Sequence, residues 1–319
     1  MEGAGPILFP ELWTAASLEQ VDEARQLLAE GADVNEKGGP NASTPLHEAA
    51  DSGCQEMVRL LVEQGADVSV KDTDGATPLH AVCNKLDWVV PGKYWRSYHE
   101  IGDVPYSDSS LTRADAHLEA LEIVRLLLHH HADPSTKNNN GNTPLHSAMW
   151  AGDNHAVALL IEKGGDVSAK NSNGHTPLYL AVGQEDDEAW DGHLDVALLV
   201  LEQGVDISTN DNDGKTLLHF TAECGHCEMA RLLLEHGAYV SLKNTDGKTP
   251  LQVSTNRRCG PAWKNEEIAA LLRAEETRLE ETRQATCGAF MMGQHARLGA
   301  GSLINTIPPE LAKMILDRV

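Results

Sequence analysis

Three things are scarce in this 319-residue sequence: aromatic side chains, positive charge and long apolar runs. Phe, Trp and Tyr together make up 4% of the residues, so a core must rely on aliphatic side chains and each aromatic position is informative. Lys and Arg number 25 against 48 acidic residues, which gives a formal net charge of −23. This excess of acid argues against binding to nucleic acid and to anionic membrane surfaces. It favours neutral or basic protein partners.

Targeting and membrane signals are also missing. No apolar run reaches the length of a membrane span, and residues 1–20 lack a basic segment followed by an apolar core. We therefore expect a cytoplasmic or nuclear protein. The six cysteines, at positions 54, 83, 224, 227, 259 and 287, fit a reducing compartment, in which thiols act as small buried apolar groups.

The stretch 137–170 shows how the rest of the chain is built. Asn140-Gly141 predicts a tight hairpin turn, and Thr143-Pro144 predicts the start of a short helix. Gly152 ends that helix, and a second, more apolar helix follows it. One unit of this size cannot bury its apolar surface alone, so it must stack on similar units.

Self-similarity at a fixed period supports this expectation. An inward-facing leucine recurs with a base step of 33 residues (46 to 79, for example), at Leu12, Leu46, Leu79, Leu145, Leu178, Leu218 and Leu251. Words such as TPLHEAA (44–50), TPLHAVC (77–83) and TPLHSAM (143–149) accompany it. Over roughly residues 8–275 this pattern resembles the ankyrin repeat, whose mark is that period and Thr-Pro-Leu-His. The resemblance implies an all-α solenoid of about seven helix-turn-helix repeats with short β-hairpin turns.

The repeats predict the domain layout. Residues 1–38 form a capping repeat without the signature, and residues 39–282 hold repeats two to seven. Three corner insertions are predicted near 87–117, 183–192 and 256–265, and we interpret the 66-residue step from Leu79 to Leu145 as one of these insertions rather than a lost repeat. Residues 283–301 lack a period and are predicted to be a linker, followed by a C-terminal helix at 302–319.

Motifs for catalysis, cofactors or metals have simpler explanations. Cys224 and Cys227 form a CxxC, but they occupy an ordinary corner between two helices and no βαβ pattern surrounds them. The run 129–131 is three consecutive histidines, which cannot share one helix face. Gly-Lys-Thr at 214–216 and 247–249 lacks the earlier glycine of a phosphate-binding loop. We therefore expect no enzyme, no cofactor and no metal site.

The aromatic residues suggest a binding edge. Each predicted insertion carries tryptophan, and the aromatic residues proposed to contact a partner are Trp88, Trp95, Tyr98, Trp150, Trp190 and Trp263. Aromatic side chains are enriched in binding hot spots. The alternative is that the loops fold back and bury these rings against the helices.

The last segment offers a more specific hypothesis. INTIPPELAKMIL (304–316) resembles the opening of an F-box, whose first helix docks on the adaptor subunit of a cullin ubiquitin ligase. The resemblance implies contacts from Ile307, Pro308, Glu310, Leu311, Ile315 and Leu316. The end of a SOCS box is a second resemblance, with Cys287 as the match to its elongin-binding part, although its Leu-Pro-Leu-Pro element is missing. The simpler alternative is an amphipathic helix that covers the last repeat.

One further position resembles a modification site. Asn35, in LLAEGADVN, stands where ankyrin proteins offer an asparagine to an asparaginyl hydroxylase, whereas other repeats carry serine there. A plain turn-forming asparagine is the alternative.

Together these patterns predict a non-catalytic protein-interaction module that recognises its partner through hairpin tips and first helices. The more specific hypothesis is a substrate-recognition subunit of a cullin-type ubiquitin ligase. The competing hypothesis is an ankyrin scaffold or inhibitor with no link to ubiquitin.

Overall fold

Paired helices provide the regular structure of the computed structural model, which describes residues 11–89, 113–182, 190–254 and 262–295. Within these ranges the β structure is limited to two isolated bridges, Gly38 to Ser43 and Asn210 to Thr216. The helices are α1 (Glu11–Ser17), α2 (Val21–Ala29), α3 (Pro45–Ser52), α4 (Gln55–Glu63), α5 (Pro78–Val89), α6 (Arg113–His129), α7 (Pro144–Ala151), α8 (Asn154–Glu162), α9 (Pro177–Val182), α10 (Trp190–Leu201), α11 (Leu217–Cys224), α12 (Cys227–Glu235), α13 (Pro250–Ser254) and α14 (Ala262–His295).

The helices stack in two rows. The first helices of the repeats contact one another in chain order, from α1 to α13, and the second helices do the same from α2 to α12. Helix α5 packs directly against both α3 and α7, so no repeat is missing across the 66-residue step. The fold is an all-α repeat solenoid, as predicted.

Some element boundaries differ from the sequence-based expectation. Helix α5 continues to residue 89, α6 begins at residue 113, α10 begins at residue 190 and α14 begins at residue 262, so helix enters all three predicted insertions. Residues 283–295, predicted to be linker, continue α14. This part of the linker prediction is wrong, because the segment has no proline and its Ala, Gln and Met residues favour helix enough to accommodate two glycines.

Each first helix has matched start and stop signals. Thr143 precedes α7 in an extended conformation and Pro144 occupies its first turn, where a missing N–H has no cost. Gly152 ends the helix with φ of 71°, a left-handed conformation that favours glycine. The same arrangement starts and ends α3, with Thr44, Pro45 and Gly53.

A line of side-chain hydrogen bonds joins each repeat to the next. We call each of these bonds a rung. In the rung of repeat four, His146 Nδ1 accepts from the Thr143 backbone N–H at 3.1 Å, so the ring proton lies on Nε2. This Nε2 donates to the His175 carbonyl at 3.2 Å. The acceptor of each rung belongs to the residue just before the threonine that precedes the first helix of the next repeat. The six donors are Trp13, His47, His80, His146, Tyr179 and His219, and their acceptors are Ser43, Ala76, Asn142, His175, Lys215 and Lys248.

The hairpin tips carry two more lines of bonds between repeats. Backbone N–H groups of one tip donate to carbonyls of the preceding one, as Ser172 N does to Asn140 O at 2.9 Å. Gly141 has φ of 74°, and a Cβ there would lie 2.7 Å from Ser172 N, so glycine is required for this approach. Alongside, lysine ammonium groups donate to main-chain oxygens of the following repeat, from Lys37, Lys71, Lys137 and Lys170.

Aliphatic side chains fill the space between the helix rows, as the scarcity of aromatic residues requires. Six of the seven periodic leucines are at most 1% exposed, and Leu251, in the last first helix, is half-buried. Buried valine, methionine and leucine from the second helices complete the core, among them Met57, Val58, Val157 and Leu160.

The chain divides into two compact units, residues 1–271 and 272–319. The first contains helices α1–α13 and the beginning of α14, where Ile268 and Ala269 are buried. The described part of the second unit is the rest of α14, and its side chains from 277 to 285 are exposed. Among the described residues, no helix combines the length and apolar character needed to cross a bilayer.

The histidine rungs predict an acid-sensitive stack. Burial lowers the pKa of His47, His80, His146 and His219, to about 4 for His146. The unfolded chain therefore binds protons more readily than the folded chain below about pH 6.5, and stability is lost as the pH falls from there towards about 4. For His146, whose pKa falls from 6.5 to about 4, the stability lost over this pH range is on the order of 3 kcal/mol.

His146→Gln tests this account, because Gln252 naturally provides a side-chain acceptor for the Thr249 N–H in the last repeat. We expect the variant to be less stable than wild type at pH 7 and to lose less stability between about pH 6.5 and 4. Urea unfolding at a series of pH values measures both effects. An unchanged pH dependence would contradict the titrating role of His146.

Candidate functional site

A groove on the first unit surrounds Trp150. It has a volume of about 500 Å³, and we call it the Trp150 groove. Trp150, at the end of α7, is 41% exposed. The lining comes from the tips and first helices of repeats three, four and five: Asn84, Asn140, Asn142, His146, Ser147, Trp150, Asn171, Ser172, Asn173, His175 and Leu180.

The floor of this groove is fixed by the hairpin bonds. Asn171 Oδ1 accepts from the backbone N–H groups of Asn173 and His175, both at 3.0 Å. Its Nδ2 donates to Asn142 Oδ1 in the preceding repeat at 2.8 Å. Asn140 and Asn173, at the exposed tips, present amide side chains that can donate and accept. These groups can form hydrogen bonds with the backbone N–H and C=O groups of a bound polypeptide.

The two histidines of the groove have structural roles. Both ring nitrogens of His146 are used in its rung. The ring of His175 stacks on Tyr179 with centroids 4.6 Å apart, and its Nε2 lies 3.7 Å from Asp211 Oδ2. Burial lowers the pKa of His175, although Asp211 opposes that shift. At neutral pH both rings are uncharged, so the groove presents hydrogen-bonding groups without charge.

A second groove, of about 320 Å³, lies between α8 and α10 and differs in character. Its lining includes the half-exposed Leu198, at 39% exposure, between the acids Asp195 and Glu202. A basic or apolar segment would suit it, whereas the Trp150 groove has no Asp, Glu, Lys or Arg in its lining.

The remaining aromatic residues of the predicted edge are only partly described. Trp88 lies near the end of α5, Trp190 is the first residue of α10 and Trp263 is the second residue of α14. Their side chains, together with Trp95 and Tyr98, lie outside the described residues, so of the six proposed contacts the structure places the side chain of Trp150 alone.

Comparison with known families identifies the repeats. A family model described as "Ankyrin repeats (3 copies)" matches residues 12–90, 113–191 and 188–281, which together exceed half of the chain. The chain belongs to the ankyrin repeat family. The Trp150 groove therefore lies among the hairpin tips and first helices of an ankyrin stack.

Curated relatives match parts of this chain. An ankyrin repeat-containing protein of Schizosaccharomyces pombe is 38% identical over 78 residues, which is 24% of this chain and 37% of the relative. Ankyrin repeat and SOCS box protein 5 of Bos taurus is 43% identical over 82 residues, 25% of this chain and 24% of the relative. Protein phosphatase 1 regulatory subunit 12A of Mus musculus is 42% identical over 62 residues, 19% of this chain and 6% of the relative. The matches thus span well under half of each relative.

The structure describes the CxxC motif but not the predicted adaptor-binding residues. Cys224 ends α11 and Cys227 begins α12, and both are thiols rather than disulfides. Burial, assisted by Glu267, raises the pKa of Cys227 to about 11, which keeps its sulfur protonated at neutral pH. The adaptor-binding residues predicted at 307–316 lie outside the described residues.

One cluster has no counterpart in the sequence-based analysis, which predicted no metal site. His117, Asp153 and His155 each offer a ligand atom, and these atoms lie within 4.8 Å of one another. Sequence spacing gave no signal, because His117 is 36 residues from Asp153 and belongs to the preceding ankyrin repeat. The stacking of α6 on α8 brings them together.

Asn35 makes a bond between ankyrin repeats. Its Oδ1 accepts from the Asp67 backbone N–H at 2.8 Å, and its own N–H donates to Asp33 Oδ1 at 2.9 Å. Ser69, the matching residue of the next repeat, bonds instead to Asp67 of its own turn at 2.6 Å. The side chain that resembles a hydroxylation site therefore also joins repeats one and two.

Asn35→Ala should destabilise the folded chain by about 1 kcal/mol, because the Asp67 N–H loses its acceptor. Ser69→Ala is the matched control, since its hydroxyl makes no bond to another repeat among those described. Urea unfolding of both variants measures the difference. Equal effects would show that the bond between repeats adds nothing.

Proposed function

We propose that this chain is a protein-recognition module that binds a neutral, polar segment of a partner protein in the Trp150 groove. The observation that carries the proposal is a half-exposed tryptophan surrounded by asparagine and serine, in a groove whose lining carries no Asp, Glu, Lys or Arg. Tryptophan is enriched among residues that dominate binding energy. The family supports the general role, because ankyrin repeats generally serve as non-catalytic binding modules.

The absence of charged side chains in the groove lining narrows the chemistry expected of the bound segment. The whole chain has a net charge of −23, yet the groove lining carries no acid or base, and the carboxylate of Asp211 faces the lining residue His175. Long-range attraction would favour a basic partner, while the groove selects an uncharged segment at the contact. A partner with basic flanks around a polar, uncharged stretch satisfies both conditions.

A second proposal concerns residues 302–319. Their resemblance to the opening of an F-box supports a role in joining a bound protein to a cullin-type ubiquitin ligase, in the cytoplasm or nucleus. The Bos taurus relative carries a SOCS box by name, which is the second element that this segment resembles, and the match covers 24% of that relative. The alternative is a scaffold or inhibitor with no link to ubiquitin. The Mus musculus relative, which is named as a regulatory subunit of a phosphatase, is the comparison for this alternative.

The Trp150 groove can be tested with a random peptide library displayed on phage and selected against the full chain. We expect selected peptides to be rich in uncharged polar residues, and Trp150→Ala to weaken their binding about 30-fold, as for a hot-spot residue that contributes about 2 kcal/mol. Binding is measured by fluorescence polarisation.

Tyr239→Ala is the matched control, because Tyr239 is a large exposed side chain, 54% exposed, that does not line the groove. It should leave peptide affinity unchanged. Peptides that bind the Trp150→Ala and wild-type chains equally would refute the groove assignment, and selected peptides that share no uncharged polar stretch would refute its neutral character.

The ligase proposal is tested with purified F-box-binding adaptor and purified elongin. The full chain should retain one of them in a pull-down, and both deletion of 302–319 and Leu311→Asp should abolish retention. Asn305→Ala, a polar change in the same segment, serves as control. If the full chain retains neither protein, the ligase role is wrong while the groove proposal stands.

A further inference from the structure

The cluster of His117, Asp153 and His155, which we call the His-Asp-His cluster, lies where the second helices of repeats three and four meet. Asp153 lies just before α8, at the corner between the two helices of repeat four, and is 3% exposed. Its Oδ1 accepts from the backbone N–H groups of His155 and Ala156, both at 2.9 Å. These two bonds fix the carboxylate and leave Oδ2 directed at His117 Nε2, which is 2.5 Å away.

The third repeat supplies His117 through an irregularity of its second helix. Helix α4 begins at Gln55, and the same position in repeat three, 66 residues later, is 121, yet α6 already begins at Arg113. The extra turns carry His117, and α6 packs against α8. A second helix that began at residue 121 would not include His117.

His155 completes the set from the first turn of α8. Its ring meets the ring of His117 edge to face, with centroids 6.1 Å apart, and its side chain is exposed. Because it is exposed, it can rotate without disturbing the core. His117 is about a quarter exposed, so the cluster opens to solvent on one side while Asp153 anchors it on the other.

The donor set matches a first-row divalent cation. Two imidazole nitrogens and one carboxylate oxygen are established ligands of Zn²⁺, with bonds of about 2.0–2.2 Å. Two ligands on one tetrahedral ion then lie about 3.3 Å apart, so His117 and Asp153 must separate by less than 1 Å. His155 must move closer from within 4.8 Å, which rotation of an exposed side chain permits.

We propose that His117, Asp153 and His155 bind Zn²⁺ and thereby join α6 to α8. Three protein ligands leave a fourth position for water or for a side chain of another molecule. The competing explanation is that Asp153 only caps α8 and accepts a hydrogen bond from His117, with His155 uninvolved. Zinc binding separates the two, because the second explanation gives His155 no role.

Isothermal titration of the metal-stripped full chain with ZnCl₂, at neutral to slightly basic pH, tests the proposal. We expect one site whose affinity falls at least about tenfold in both His155→Gln and His117→Gln. Zinc should also raise the thermal midpoint of the wild-type chain, but not that of His155→Gln, because metal binding stabilises only the folded state.

The double variant His129→Gln, His130→Gln is the matched control. These residues lie at and just beyond the other end of α6, with ring centroids 5.3 Å apart, and the proposal gives them no part in binding. Absence of zinc binding by the wild-type chain would overturn the proposal. Wild-type affinity in His155→Gln would do the same, as would loss of binding in the control variant alone. Since His155 is exposed, its replacement leaves the core intact and the result interpretable.

Discussion

The line of hydrogen bonds from each first helix to the next hairpin holds the rest of the structure in register. The first helices are short and bury leucine, alanine and a few larger apolar side chains, and such packing is less directional than a hydrogen bond. The rung fixes the helix relative to the residue that starts the next repeat. Trp13 and Tyr179 make the bond where histidine is absent, so the donor persists while the ring changes. The Trp150 groove depends on this register, since its lining comes from three successive repeats.

Much of this architecture could be predicted from the sequence, because the period and the Thr-Pro-Leu-His word express local physics. Thr143 and Pro144 start a helix and Gly152 ends it for reasons contained in a few neighbouring residues. The continuation of α14 through residues 283–295 was missed because the segment lacks apolar periodicity, while helix propensity needs none. The His-Asp-His cluster was missed for a different reason: its members meet only after repeats three and four stack. The Trp150 groove lies between these cases. Its tryptophan was predicted as a contact, but the neutrality of its lining depends on which neighbours face inward.

Charge and recognition are separated in this molecule. The large negative charge acts at a distance and, under the proposed function, would raise the local concentration of a basic partner without determining the contact itself. Selectivity in the Trp150 groove would come from amide groups that hydrogen-bond in fixed directions and from one aromatic surface. The proposed zinc site would hold α6 against α8, which belong to the row of second helices, whereas the groove is lined by hairpin tips and first helices. The two proposals are independent, because the cluster shares no residue with the groove lining.

The corner between α5 and α6 has a consequence for protein engineering. Helix α5 ends at Val89 and α6 begins at Arg113, yet both helices keep the neighbours that an uninterrupted repeat would have. The cost of lengthening a connection grows only with the logarithm of its length, by about 0.6 kcal/mol for each doubling. A fluorescent or enzymatic domain with adjacent termini could therefore be inserted at this corner. Because the insertion point lies between a helix that contributes Asn84 to the groove and one that contributes His117 to the cluster, such a fusion would place a reporter beside both.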